Sequence, residues 1–203
     1  MSDGPARVTL VGSESTGKTT LARDLVDALQ ARGGDLADTR WVPEYGREYT
    51  ELLLQRQGVV AQEGEAGTAE WGAADFAAIA LEQQRIEDAA AASTRSPVLI
   101  CDTDAFATLL WEWRYLGRDS NAALVAVPDL PPRALYLLAD LADVPFEQDG
   151  IRDGEHFRET MQRWFEDELT ARGERWLLVR GDRRQRLELS LAAIDSLLAD
   201  RAA

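Results

Sequence analysis

The feature that most constrains this chain lies near its start. Residues 7–11 (RVTLV) form a short apolar, β-branched run that leads directly into Gly12-Ser13-Glu14-Ser15-Thr16-Gly17-Lys18-Thr19. The run reads as a buried strand. Over residues 18–31, Leu21, Leu25, Val26 and Leu29 recur at helical spacing, and Gly33-Gly34 end the pattern. A strand, then G-x-x-x-x-G-K-[ST], then a helix is the arrangement that cradles phosphate oxygens. Glycines let the backbone curl so that successive N–H groups converge on an anion, and the helix N-terminus adds a favourable field. A lysine in that place reaches β- and γ-phosphates, and the following hydroxyl can ligate Mg²⁺. Gly12, Ser15, Thr16, Gly17, Lys18, Thr19 and Thr20 are therefore the expected ATP-binding residues, with Thr19 also a metal ligand.

The rest of the chain alternates in the same way. Residues 40–43, 97–101, 134–138 and 176–179 read as further short strands. Residues 47–56, 73–92, 105–115, 157–171 and 183–199 read as helices, and 57–68 as a loop. Continuously apolar strands separated by helices predict a parallel sheet covered on both faces. No repeat or linker divides the 203 residues, so one α/β domain over 1–203 is expected.

Charge narrows the partners. Acidic residues outnumber basic ones 36 to 22, for a net charge of −14. Such a surface repels a phosphate backbone and an anionic membrane, which argues against a nucleic-acid binder or a polybasic membrane protein. No apolar run approaches the roughly 18 residues of a membrane span, and the first residues lack a signal-peptide pattern. A single cysteine, Cys101, permits no internal disulfide. These features predict a cytoplasmic protein. Among the 22 basic residues, Lys18 is the one lysine. A compact ammonium suits a narrow phosphate cradle better than the wide arginine fork does.

In an open α/β sheet, ligands bind beyond the carboxyl ends of the strands. Glu44 follows the second predicted strand, and Asp102 and Asp104 follow the third. Phosphoryl transfer needs a held Mg²⁺ and an oriented acceptor hydroxyl. Asp102 suits the metal and Glu44 the base. Asp104 is either a helix N-cap or a substrate contact. The polar segment 140–158, with two glycines, reads as a lid. Arg152 is the first candidate to close on the transferred phosphoryl group, with Arg158 behind it. Trp111 and Trp113, two apart on a helix, face different ways, so one is core and the other is available to flank a substrate ring. Trp41, Tyr45 and Trp71 are further stacking candidates, although core packing is the commoner use of such residues. Arg184, after the fifth strand, is a candidate for adenine.

Taken together, these blocks resemble the ribosylnicotinamide kinase domain of the NadR type, among the P-loop nucleoside and nucleotide kinases. The resemblance rests on the phosphate loop and on Pro43-Glu44-Tyr45-Gly46-Arg47-Glu48-Tyr49. It rests also on Asp75-Phe76 with Ile79-Ala80 and Gln83, on Asp102-Thr103-Asp104 with Tyr115-Leu116-Gly117, and on residues 145–153 (PFEQDGIRD). It extends over about residues 7–198. It implies a five-stranded parallel sheet of order 2-3-1-4-5 with a small lid. It also implies ATP- and Mg²⁺-dependent phosphorylation of the 5′-hydroxyl of nicotinamide riboside. Tyr45, Arg47, Gln83, Asp104 and Trp111 are then candidate substrate contacts. Longer members add a DNA-binding helix-turn-helix and an adenylyltransferase domain, for which 203 residues leave no room. The alternatives are a kinase for another nucleoside or nucleotide and a non-catalytic nucleotide-binding regulator. A homo-oligomer stays open.

Overall fold

The computed structural model describes residues 4–58, 69–142, 144 and 157–202. Five strands, β1 (Ala6–Val11), β2 (Arg40–Val42), β3 (Val98–Asp102), β4 (Leu135–Ala139) and β5 (Trp176–Val179), form one sheet of order β2-β3-β1-β4-β5. Every pairing is parallel, and Val8 of β1 stands opposite Ile100 of β3 and Leu135 of β4. This is the expected topology. It brings the carboxyl ends of β1, β2 and β3 to one edge, where Gly12, Glu44 and the Asp102-Thr103 pair emerge.

Alternation along the strands divides the core. Val8, Leu10, Leu135 and Leu137 face α1 (Lys18–Ala31) and α7 (Arg183–Ala202), and pack with Leu21, Leu25, Leu29 and Ile194. Val11, Tyr136 and Leu138 point the other way. They meet Phe76 of α3 (Ala73–Ser93), Phe106 and Leu110 of α4 (Ala105–Leu116), and Phe165 of α6 (Arg158–Ala171). Each fully buried leucine or phenylalanine contributes about 1.5–3 kcal/mol.

Two elements carry no clear sequence signal. A 3₁₀ turn covers Gly34–Asp38, and a five-residue helix, α5, covers Ala122–Ala126. The first N–H groups of α5 are capped from a distance: Ala122 and Ala123 donate to the Glu112 carboxylate of α4 at 2.7 and 2.9 Å. The remaining helix, α2 (Tyr45–Gln57), begins two residues before the periodicity suggests. The Tyr45 N–H is held there by the buried Gln83 side chain, at 2.9 Å. Among the described residues, no helix is long and apolar enough to cross a membrane.

Candidate active site

The phosphate loop takes its shape from its backbone. Gly12 has φ 138°, and a Cβ there would lie 3.0 Å from the Ala139 carbonyl oxygen, so the turn requires glycine. Gly17 has φ 77° and opens α1 in the left-handed region. The Ser13 carbonyl oxygen accepts from Thr16 Oγ1 at 2.9 Å and from Lys18 Nζ at 2.7 Å. The one lysine thus folds back over its own loop, beside the cavity that it lines.

Two arginines hold the loop from outside. Arg158 donates from Nε to the Glu14 carbonyl at 3.1 Å and from Nη2 to the Ser15 carbonyl at 3.2 Å, and also reaches the Val144 carbonyl. Arg186 donates to the carbonyls of Thr16, Asp140 and Gly181, each at 2.8 Å. That one buried guanidinium ties the ends of β1, β4 and β5 together. Arg184, the candidate for adenine, has a 77% exposed side chain paired with Glu188. Arg186, Ser190, Ile194 and Leu197 are all buried, and their spacing marks one helical face that excludes Arg184.

Asp102 ends β3 beneath the loop. Thr19 Oγ1 donates to its Oδ2 at 2.6 Å, while Oδ1 is buried with no hydrogen-bond partner among the described residues. Burial pushes this carboxyl upward, and the Thr19 hydrogen bond and the Lys18 charge oppose the shift. Thr103, next in sequence, has φ 80°. A β-branched residue pays about 1–3 kcal/mol for that conformation, and its N–H is fixed by the Leu10 carbonyl at 2.9 Å. The donor set suits Mg²⁺: one hydroxyl, and one carboxylate with an orphaned oxygen, beside a phosphate cradle. Mg²⁺ typically takes one or two carboxylates plus phosphates and water rather than an all-protein cage.

Glu44 leaves β2 and immediately precedes α2. It faces a cavity of about 320 Å³ together with Lys18, Thr19, Arg47 and Thr103. That volume is within the ordinary range for small-molecule sites. The far wall is aromatic. Trp71 lies 5.1 Å from Phe76 and 5.2 Å from Tyr115 by ring centroids. Thr108, Trp111 and Tyr115 share one face of α4 and line the same space. Trp113 points elsewhere, donating from Nε1 to the Ser120 carbonyl at 2.8 Å.

The structure therefore brings Ser15, Gly17, Lys18, Thr19, Thr20, Glu44, Arg47 and Trp111 to one cavity, with Asp102 bonded to Thr19. Three expected substrate contacts do not line it. Tyr45 stands edge-on to Tyr49, at 6.1 Å. Gln83 is buried against the start of α2. Asp104 is buried as the N-cap of α4, accepting from the Ala107 N–H at 2.9 Å, and it also accepts from Arg133 and Tyr136. The N-cap alternative holds for it. Arg152 and most of the expected lid, residues 143 and 145–156, lie outside the described residues. Trp71, Phe76 and Tyr115 were missed as a group, because the fold alone brings them together.

The fold is shared with solved structures. NadR in complex with NR matches with TM-score 0.68 and 22% identity, over 95% of this chain and 51% of that one. NadR in complex with NAD and AMP-PNP matches with TM-score 0.62 and 20% identity, over 88% and 44%. Thymidylate kinase from Ehrlichia chaffeensis matches with TM-score 0.65 and 15% identity, over 95% and 99%. The chain thus spans about half the length of the NadR structures, and at these identities the likeness is one of fold. No curated protein matches the sequence. A family model described as AAA domain matches residues 7–186. With that match spanning most of its length, and with the five-stranded P-loop fold beneath it, the chain belongs to the AAA domain family.

Proposed function

We propose that this chain is an ATP-dependent kinase that phosphorylates the 5′-hydroxyl of nicotinamide riboside, giving nicotinamide mononucleotide. One observation carries the reading: Lys18 and Thr19 of the phosphate loop share a cavity with the Glu44 carboxylate and an aromatic wall of Trp71, Phe76, Trp111 and Tyr115. A flat cationic ring is attracted to aromatic faces and to a nearby carboxylate. The fold-sharing NadR complexes with NR and with AMP-PNP lend further support.

The chemistry assigns each residue a task. The riboside 5′-oxygen attacks the γ-phosphorus, a new P–O bond forms, and the bond to the β–γ bridging oxygen breaks. Glu44 accepts the hydroxyl proton. Lys18 places its charge on the phosphoryl group in transit. Thr19 and Asp102 are the residues to hold Mg²⁺, which when bound neutralises phosphate charge. Arg158 and Arg186 keep the loop in place, and Arg152 is proposed to close over the γ-phosphate.

A second reading, a kinase acting on a nucleotide such as thymidylate, is favoured by Arg47 on the cavity wall. An acceptor phosphate wants more than one cation. Arg85, on α3, is exposed and engaged by Glu82 at 2.6 Å. The test is coupled ADP release across nicotinamide riboside, thymidine, cytidine and thymidylate. Turnover of any of the last three without nicotinamide riboside overturns the substrate assignment. ATP left intact with every acceptor supports a non-catalytic regulator.

A further inference from the structure

Four of the buried polar side chains outside this chemistry form one connected path. The Tyr45 N–H, first in α2, donates to Gln83 Oε1 at 2.9 Å. Gln83 Nε2 faces Glu87 Oε1 at 3.4 Å, one helical turn along α3. Glu87 Oε2 pairs with Arg133 Nη1 at 2.7 Å and with Arg7 Nη1 at 3.2 Å. Arg133 Nε continues to Asp104 Oδ2 at 2.9 Å, where the Tyr136 hydroxyl also donates. Asp104 caps α4. Gln83, Glu87 and Asp104 are 0% exposed, and the Arg133 side chain is 1% exposed.

The two ends of this path are the two walls of the acceptor cavity. One end fixes the start of α2, directly after Glu44. The other fixes the start of α4, which carries Thr108, Trp111 and Tyr115. A side-chain amide has a donor end and an acceptor end, and only one orientation of Gln83 offers Oε1 to the Tyr45 N–H. An ionised Glu87 accepts only, so it demands the Nε2 end of Gln83 and enforces that orientation. A protonated Glu87 is a donor. It competes for Oε1 and releases Tyr45.

We propose that Gln83, Glu87 and Arg133 are positioning residues for the acceptor site, with the ionised Glu87 orienting Gln83 and thereby Glu44. The kinetic part rests on the reading of Glu44 as the base; the link from Glu87 to the start of α2 does not. Burial pushes the Glu87 carboxyl up to about 7, against the pull of Arg133 and Arg7. The groups facing it are Arg7 of β1, Cys101 of β3, Arg133 before β4, Asp104 at the head of α4, and Gln83 on its own helix. The link therefore switches close to neutrality.

The experiment follows the Tyr45 amide by ¹⁵N–¹H NMR from pH 5.5 to 8.5, in the full chain and in Glu87→Gln. In the parent chain the Tyr45 resonance is expected to titrate with a midpoint near neutrality. In Glu87→Gln it stays at the low-pH position throughout, because the new amide offers Gln83 a donor at every pH. Gln83→Met removes the acceptor and is expected to abolish the titration too. It decides the matter if Glu87→Gln does not fold. A Tyr45 resonance that fails to titrate in the parent chain, or that titrates unchanged in either variant, overturns the proposal. In the kinase assay, Glu87→Gln is expected to lower kcat about tenfold at pH 8, to leave the KM for ATP within twofold, and to remove a neutral inflection from the pH profile. An unchanged profile overturns the kinetic role. If no acceptor turns over while Tyr45 titrates as expected, the kinase reading falls and the positioning link stands.

Discussion

The Thr19 hydroxyl donates to Asp102 Oδ2 at 2.6 Å, joining the start of α1 to the end of β3. The geometry leaves Asp102 Oδ1 buried and, among the described residues, unpartnered. A buried acceptor in that state costs about 1–3 kcal/mol, which an incoming cation relieves. Asp102→Asn keeps the shape and removes the charge. The variant is expected to fold, to need much higher Mg²⁺, and to lose about 10²-fold in kcat, measured by Mg²⁺ titration of ADP release. Burial raises the Asp102 carboxyl, so a proton competes with the metal at a higher pH than for an ordinary carboxylate. The Mg²⁺ requirement of the parent chain should therefore rise as pH falls, which the same titration repeated at several pH values measures.

Among the described residues, Lys18 Nζ donates to the Ser13 carbonyl alone, so its removal touches little of the core. Lys18→Ala is expected to melt within a few degrees of the parent chain while losing about 10³-fold in turnover, by analogy with removal of a charge aimed at a reacting centre. Lys18→Arg should not restore activity, because the planar fork does not fit where a point charge on a flexible stem does. Comparing melting with ADP release separates the two effects.

Glu44→Gln tests the base. General-base catalysis contributes about 10²–10⁴-fold, so kcat should fall by that order while the KM for ATP stays near its parent value. Equal loss of ATP binding and of kcat counts against the role, because a base acts on the acceptor hydroxyl and not on ATP.

How far the sequence carried these assignments depended on how local each signal was. The phosphate loop, Asp102 and Glu44 are written contiguously: an apolar run, then a residue of the right chemistry at its carboxyl end. The sheet order followed from the family resemblance. Asp104 could not be resolved in the same way. Its fate was decided by Arg133 and Tyr136, which reach it only after β4 is laid beside β1. The aromatic wall was hidden for the same reason, since Trp71, Phe76 and Tyr115 come from separate segments. Arg186 is a different case. The helical period that buries Ile194 and Leu197 also buries Arg186, and that reading was available.

Glu87 gives a stability prediction independent of catalysis. Its folded value of about 7 lies above the ordinary 4.5. A carboxyl raised by folding contributes stability that is full below the unfolded value and lost as pH rises through the folded one. The parent chain should therefore lose stability relative to Glu87→Gln between pH 4.5 and pH 8. The relative change is at most about 3 kcal/mol. Urea unfolding of both proteins across that range measures it. A difference that does not vary with pH would show that Glu87 keeps the same charge in both states.

The three acceptors of Arg186 belong to three different segments. Thr16 is in the phosphate loop, Asp140 follows β4 and Gly181 follows β5. Arg186→Gln leaves at least two of these carbonyls without their arginine donor; the bond to Thr16 is the buried one of the three, and an orphaned buried acceptor costs about 1–3 kcal/mol. The phosphate loop is expected to lose its fixed relation to the ends of β4 and β5. ATP should then bind about tenfold more weakly, while the KM for the acceptor, whose walls are α2 and α4, stays within twofold. Arg186→Lys restores the charge but not the three-way reach, so it should recover little. Initial rates against each substrate measure the split. If both KM values rise together, Arg186 holds the fold as a whole rather than the nucleotide side.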